Sequence, residues 1–321
     1  MKLHAFPAAA ALAATLALPC VAAYPERPIT LVVPFATGGM GTLFGNLVSE
    51  VLTPALGQKV LVDYRPGAAG ALGAGAVAKS APDGYTLLMA VNSTMTVNPH
   101  LYAKLPYDPV KDFAPVSMVW TSANIVAVNA NSPVKSIKDL LDSARASPGR
   151  VTYGSAGQGT TVHLCGEMLS QVGNVKMSHV PYKGAGPAIV DLLGGQIDLV
   201  CADTSMLPQI TAGKLRALGV TSPKRMSVLP DVPTVEEQGL KGFGITSWYS
   251  IVAPAGTPKD VVEKLNQELG KALHSPAIRE RIQKVGAEPA DDTSAAYLEN
   301  VIKSDLAKWK KFIAETGIKL E

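Results

Sequence analysis

Three glycine-rich stretches hold most of the chemical potential of this sequence: Gly38-Gly39-Met40-Gly41-Thr42, Ser155-Ala156-Gly157-Gln158-Gly159-Thr160-Thr161 and Lys183-Gly184-Ala185-Gly186. Each lies between a segment patterned as a strand and one patterned as a helix. Glycine lets the backbone turn sharply and approach a ligand closely. The first N–H groups of a helix have no partner inside it, so they can hold an anion without Arg or Lys. One such loop is an ordinary turn. Three in one chain point to anion recognition.

Other chemistries fit the residues less well. A phosphate loop needs Gly-Lys-Ser/Thr after its glycines, and none of the three stretches has it. The dinucleotide fingerprint fails because Phe44 stands where its last glycine belongs. Ser155, His163, Cys165, His179 and Asp203 are the residue types of a nucleophilic site, but no Gly-x-Ser-x-Gly elbow accompanies them. Cys165 lies two positions after His163 in a helical pattern, so the two point to different faces. His179 reads as a hydrogen-bond partner for a loop. No metal-ligand spacing occurs, and neither a metal nor a cofactor is expected.

The elements that position these loops follow from hydrophobic periodicity. Ile29-Thr30-Leu31-Val32-Val33 is almost continuously apolar, which suits a strand covered on both faces. Leu43, Leu47, Val51 and Ala55 then recur every four residues as far as Gly57, a helix with Thr42 as its expected cap. Strands at Val60–Val62 and Thr86–Val91 flank a helix over 70–79, completing an α/β alternation. A second block repeats it. Strands are expected at Ile125–Val128, Val151–Tyr153, Val175–His179, Ile197–Cys201 and Leu215–Val220, with helices at Ser136–Ala146, around Leu164–Leu169 and at Ala188–Leu193. A strand over Ile245–Val252 leads to terminal helices, whose Val261-Leu265-Leu269-Leu273 and Tyr297-Val301-Trp309-Ile313 stripes read as core.

Composition narrows the class further. The 321 residues are 47% hydrophobic and 17% charged, which is globular rather than disordered. The net charge of +3 comes with no basic cluster, so no nucleic-acid face is expected. Lys2, the apolar run Phe6–Leu18 and the small residues Val21-Ala22-Ala23 have the three-part form of a secretory signal, with cleavage expected after Ala23. Pro19 before Cys20 fits a lipidation site poorly. Cys165 and Cys201 remain; an oxidising compartment permits a bridge, but their apolar settings favour a buried free pair.

A set of longer motifs runs in order along nearly the whole chain after residue 23. They include Val32-Val33-Pro34-Phe35 with Gly38-Gly39, Tyr64-Arg65-Pro66-Gly67-Ala68, Ala81-Pro82-Asp83-Gly84-Tyr85-Thr86 and His179-Val180-Pro181-Tyr182-Lys183-Gly184. Leu229-Pro230-Asp231-Val232-Pro233-Thr234 and Ala253-Pro254-Ala255-Gly256-Thr257-Pro258 follow. In these motifs the chain resembles the periplasmic substrate-binding proteins of the tripartite tricarboxylate transporter system, the Bug receptors.

The resemblance implies an α/β type II periplasmic binding-protein fold, with two α/β lobes and a ligand cleft between them. It places lobe 1 at 24–123 and 249–321, lobe 2 at 124–248 and the signal peptide at 1–23. It implies an extracytoplasmic receptor, not an enzyme, monomeric and periplasmic, that takes a small organic carboxylate. Its partners would be transporter membrane subunits or, alternatively, a sensor kinase; a secreted hydrolase is the remote alternative. The family's first-lobe contacts map to Phe35, Thr37, Gly38, Gly39, Met40, Asn92, Ser93 and Thr94. Its second-lobe contacts map to Ser155, Gly157, Gly159, Thr160 and Asp203, with Trp248 at the rim. One departure stands out. Thr42 and Asn46 occupy places where the family commonly has an Asp and an Arg, so a particular ligand is not inherited.

Overall fold

The computed structural model describes residues 24–316. The expected signal peptide lies outside them. Lobe 1 opens with β1 (Ile29–Val33), α1 (Met40–Leu56), β2 (Val60–Tyr64), α2 (Ala71–Ala78), β3 (Thr86–Val91) and the short α3 (Asn98–Leu101). β4 (Phe113–Ala123) leads directly into lobe 2: β5 (Ile125–Asn129), α4 (Ile137–Ala146), β6 (Thr152–Ser155), α5 (Thr161–Val172), β7 (Ser178–Pro181), α6 (Ala185–Leu193), β8 (Leu199–Ala202), α7 (Leu207–Thr211) and β9 (Leu215–Val220). β10 (Thr246–Pro254) returns to lobe 1, followed by α8 (Lys259–Leu273), α9 (Pro276–Lys284), β11 (Ala287–Pro289) and α10 (Ala295–Thr316).

Two mixed sheets result, ordered β11-β4-β10-β3-β1-β2 and β7-β6-β8-β5-β9. β1 pairs in parallel with both β2 and β3, and its apolar run is buried, as a strand covered on both faces requires. α1 starts at Met40 rather than after Thr42 and ends at Gly57, whose φ of 68° is the left-handed stop that glycine takes without strain. Thr42 therefore lies inside the helix, where its Oγ1 accepts from the Gly38 N–H at 2.9 Å. β4 escapes sequence reading because Pro115 and the small residues Ser117 and Ser122 break its alternation. It is nonetheless the strand from which the chain passes into lobe 2, at Asn124.

The crossovers are clasped. Thr221 N–H donates to the Asn124 carbonyl at 2.9 Å, and Asn124 N–H donates to Thr221 Oγ1 at 2.8 Å. α10 spans both lobes. Leu298 and Ile302 pack in a lobe 1 core with Met95 and Trp248, whereas Trp309 and Ile313 join Ile137 and Leu140 of lobe 2. Tyr297, expected in its buried stripe, is 41% exposed; Leu298 one position on takes that place.

Cys165 and Cys201 are not a free pair. They form a disulfide between α5 and β8 with Cα atoms 6.1 Å apart. α5 packs directly on β8, which brings the two apolar positions face to face; sequence alone could not show that juxtaposition. Trp248 is not on a rim either. It is buried in the lobe 1 core, with its indole Nε1 donating to Asp305 at 2.6 Å.

Candidate ligand-binding cleft

The three glycine-rich loops converge. A cavity of about 50 Å³ between the lobes is lined by Gly39, Met40 and Gly41 at the head of α1, by Thr160, Thr161 and Val162 at the head of α5, and by Ala185 at the head of α6. Phe35, Ala36, Val91, Asn92, Ser93, Ala156, Asp203, Ser247 and Tyr249 complete the wall. No Lys, Arg or His is among these lining residues. A second cavity, of about 250 Å³, lies beyond Phe35 and Ala156, which line both.

On the lobe 1 side, local hydrogen bonding decides which expected residues remain available. Asn92 lines the cavity, but its side chain is already committed: Nδ2 donates to Asp305 at 3.0 Å, and Oδ1 accepts from Trp248 N–H at 2.8 Å. Thr94 does not line it; its hydroxyl bonds back to Val91 in a tight turn after β3. Ser93, between them, lines the cavity with a buried Oγ that has no partner. Thr37 and Gly38 lie outside the cavity, on the rim where the lobes touch. There Ala36 N–H donates across the cleft to the Lys183 carbonyl at 2.9 Å.

On the lobe 2 side, two histidines, His163 buried and His179 partly buried, shape the loop between β6 and α5. Gly157 N–H donates to Ser155 Oγ at 3.1 Å, so the serine proton is free to reach His179 Nε2, 2.6 Å away. Gly159 N–H donates to His163 Nδ1 at 3.2 Å. The His163 ring must be neutral at Nδ1 to accept its bond. Burial pushes His163 down to about 4, and burial together with His163 pushes His179 down to about 4. The rings lie 4.2 Å apart, with Tyr153 stacked beside them and donating its hydroxyl to Glu167.

Ser155, Gly157 and Gly159 thus build the loop rather than line the cavity. Thr160 lines it, but its hydroxyl donates to the Gly157 carbonyl at 2.7 Å and caps α5 through His163 N–H. What α5 leaves exposed are its first-turn amides, Thr161 and Val162, which have no partner within the helix. Asp203 lines the cavity and reaches across to lobe 1, accepting from Tyr249 OH at 2.9 Å. Its carboxyl is fully buried and raised by desolvation. Its partners are Ser205 and Tyr249 and neither histidine, so among the described residues it does not complete a triad with the serine–histidine contact.

Of the sequence-predicted residues, Phe35, Gly39, Met40, Asn92, Ser93, Thr160 and Asp203 therefore come together on one cavity, and Gly157 faces the second. Sequence reasoning missed Ser247 and Tyr249. They enter from β10, a strand read only as apolar, and no local motif marks them. Thr161, quoted within the second loop but not singled out, bonds Ser247 Oγ at 2.7 Å between α5 and β10.

The family model described as "Tripartite tricarboxylate transporter family receptor" matches residues 46–318. Among curated proteins, one encoded in the tcbD-tcbE intergenic region of Pseudomonas sp. (strain P51) is 40% identical over 91% of this chain and 87% of its own length. BugT of Bordetella pertussis is 36% identical over 93% and 92%. Among solved structures, the periplasmic binding protein BugD superposes with a TM-score of 0.89 at 37% identity, covering 93% of this chain and all of its own. An R. palustris protein solved with adipate gives 0.89 at 34% identity, over 92% of this chain and 99% of that one. MatC from Rhodopseudomonas palustris, with bound malate, gives 0.86 at 31% identity over 90% and 99%.

Proposed function

This chain belongs to the tripartite tricarboxylate transporter receptor family, and from that premise we propose that its cleft captures a small organic carboxylate by closure of two lobes. The family's members are solute receptors rather than enzymes, so the Ser155–His179 bond is read as loop architecture. The observation that carries the proposal is that Thr161 and Val162, at the head of α5, and Ser93, whose buried hydroxyl has no partner among the described residues, line one cavity that has no basic residue in its lining. Donors of this kind hold a carboxylate through fixed dipoles rather than a counter-ion. The neighbours named with adipate and malate support a carboxylate as the solute class.

The moving units we assign start from 24–123 with 249–321, and 124–248, hinged at Asn124 and at the return after Thr221. Sheet membership supports two units, but β10 pairs into the first sheet from Thr246 and Trp309 and Ile313 of α10 pack in the second-lobe core, so residues 246–248 go with lobe 1 and the end of α10 with lobe 2. The closed surface would then present solute to the transporter's membrane subunits. A monomeric receptor in the periplasm, released by cleavage after Ala23, completes the reading. Among the described residues, no helix is long and apolar enough to cross a membrane.

The test is native mass spectrometry of protein purified from its host, joined to thermal-shift screening of organic acids. A true solute raises the melting temperature by mass action. Ser93→Ala should then weaken that solute roughly 5- to 13-fold, as loss of one net hydrogen bond of about 1–1.5 kcal/mol implies. Stability without solute should not fall, because the hydroxyl has no protein partner to lose. A copurified ligand without any carboxylate would defeat the proposal.

A further inference from the structure

Asp203 follows β8, and its carboxylate leaves its own lobe. Oδ1 accepts from Ser205 N–H at 3.1 Å, capping the short turn Thr204–Met206. Oδ2 accepts from Tyr249 OH at 2.9 Å, and Met40, at the head of α1, lines the same cavity. Tyr249 belongs to the first sheet and is held against Phe44 and Trp120, so its hydroxyl is not free to wander. A carboxylate from lobe 2 thereby shares a cavity with the N-terminus of a lobe 1 helix, whose dipole favours a negative charge. The lining residues include no other carboxylate and no cation.

We propose that Asp203 takes the anion seat at the head of α1 for the protein itself, so that the cleft selects a solute with one carboxylate, directed to α5 and Ser93, and a hydroxyl or ammonium donor directed to Asp203. This rests on the receptor reading above and narrows it. A carboxylate accepts about four hydrogen bonds, and two donors already reach this one, Ser205 N–H and Tyr249 OH. Acceptor capacity is left for the solute. A second solute carboxylate placed there would stand beside a like charge in a dehydrated site, where repulsion is strong and water is not at hand to screen it. A donor fills that capacity, and a cation also offsets the burial that holds the Asp203 carboxyl above its ordinary range.

Isosteric solute series test this directly. Calorimetric titration of the full secreted chain would compare adipate with 6-hydroxyhexanoate and 6-aminohexanoate, and succinate with 4-hydroxybutyrate and 4-aminobutyrate. The expected result is that the donor-bearing members bind at least about tenfold more tightly than the dicarboxylate of the same length, a difference of 1.4 kcal/mol. Asp203→Asn should erase or invert that preference, since the amide keeps an acceptor and loses the charge. Tyr249→Phe, which keeps the charge, should retain the preference while weakening all members together. Tighter dicarboxylate binding by the unmodified protein would overturn the inference, as would Asp203→Asn lowering every member equally. Either result would leave the carboxylate-receptor reading standing. No binding of any member would end both.

Discussion

A Cβ atom placed on Gly186 would sit 2.3 Å from the Thr37 carbonyl oxygen and 2.9 Å from the Gly38 Cα, across the cleft. The head of α6 thus meets the Thr37–Gly39 turn backbone to backbone, and only a residue without a side chain lets the lobes come so near. Gly186→Ala should obstruct closure. Overpacking of about 1–3 kcal/mol, borne by the closed arrangement alone, corresponds to roughly 5- to 150-fold weaker solute binding. Gly38→Val should act in the same direction, because Gly38 has φ 95° and faces Gly186. Titration with the identified solute, with scattering to follow compaction, reads the effect. Unaltered affinity in Gly186→Ala would show that this contact does not form on binding.

Asp305 ties α10 to the cleft floor by accepting from both Asn92 Nδ2 and Trp248 Nε1. Asp305→Ala leaves two buried donors without partners, at a cost of about 1–3 kcal/mol each. Denaturant unfolding should show that loss, with Asp305→Asn intermediate because one acceptor survives. Solute affinity should also drop, since Asn92 would no longer hold the backbone beside Ser93. Equal stability of the alanine variant would mean that water replaces the carboxylate.

The Cys165–Cys201 bridge joins positions 36 residues apart within lobe 2. Removing it as Cys165→Ala/Cys201→Ala should lower unfolding free energy by about 2–4 kcal/mol. Reductant should reproduce the shift in the native protein and leave the variant unmoved. Solute affinity well below the melting temperature should stay near its original value, because neither cysteine lines the cavity.

Acid should loosen the second-lobe loop. His163 and His179 have folded-state values pushed down to about 4 from an ordinary 6.5. A lowered value means that the neutral form is the one the fold prefers. The stability they contribute is complete above 6.5 and is lost as pH falls from there through 4. The groups facing them are Tyr153 on β6 and Glu167 on α5. Melting temperature and solute affinity should therefore decline together over that window. In His163→Gln/His179→Gln the decline should flatten; parallel curves for the two proteins would exclude the histidines as its source.

Much of this architecture is written locally. Val33 and Gly57 mark the end of a strand and of a helix through their immediate neighbours, and the strands at Thr86–Val91 and Leu215–Val220 lie where periodicity puts them, although the expected cap Thr42 falls inside α1. The three loops facing one cavity, and the family to which their motifs belong, were legible for the same reason: turn chemistry and helix starts are decided within about ten residues. Which polar groups would still be free was not legible. Asn92 is spent on a partner 213 positions away, Asp203 on one 46 away, and Cys165 on a cysteine in another element. Trp248 went to the core and Tyr249 to the cleft because alternate residues of a strand face opposite sides of its sheet. Hydrogen-bond satisfaction is settled by what the completed fold brings within 3 Å, so only tertiary structure could separate Ser93, still unpaired, from its committed neighbours.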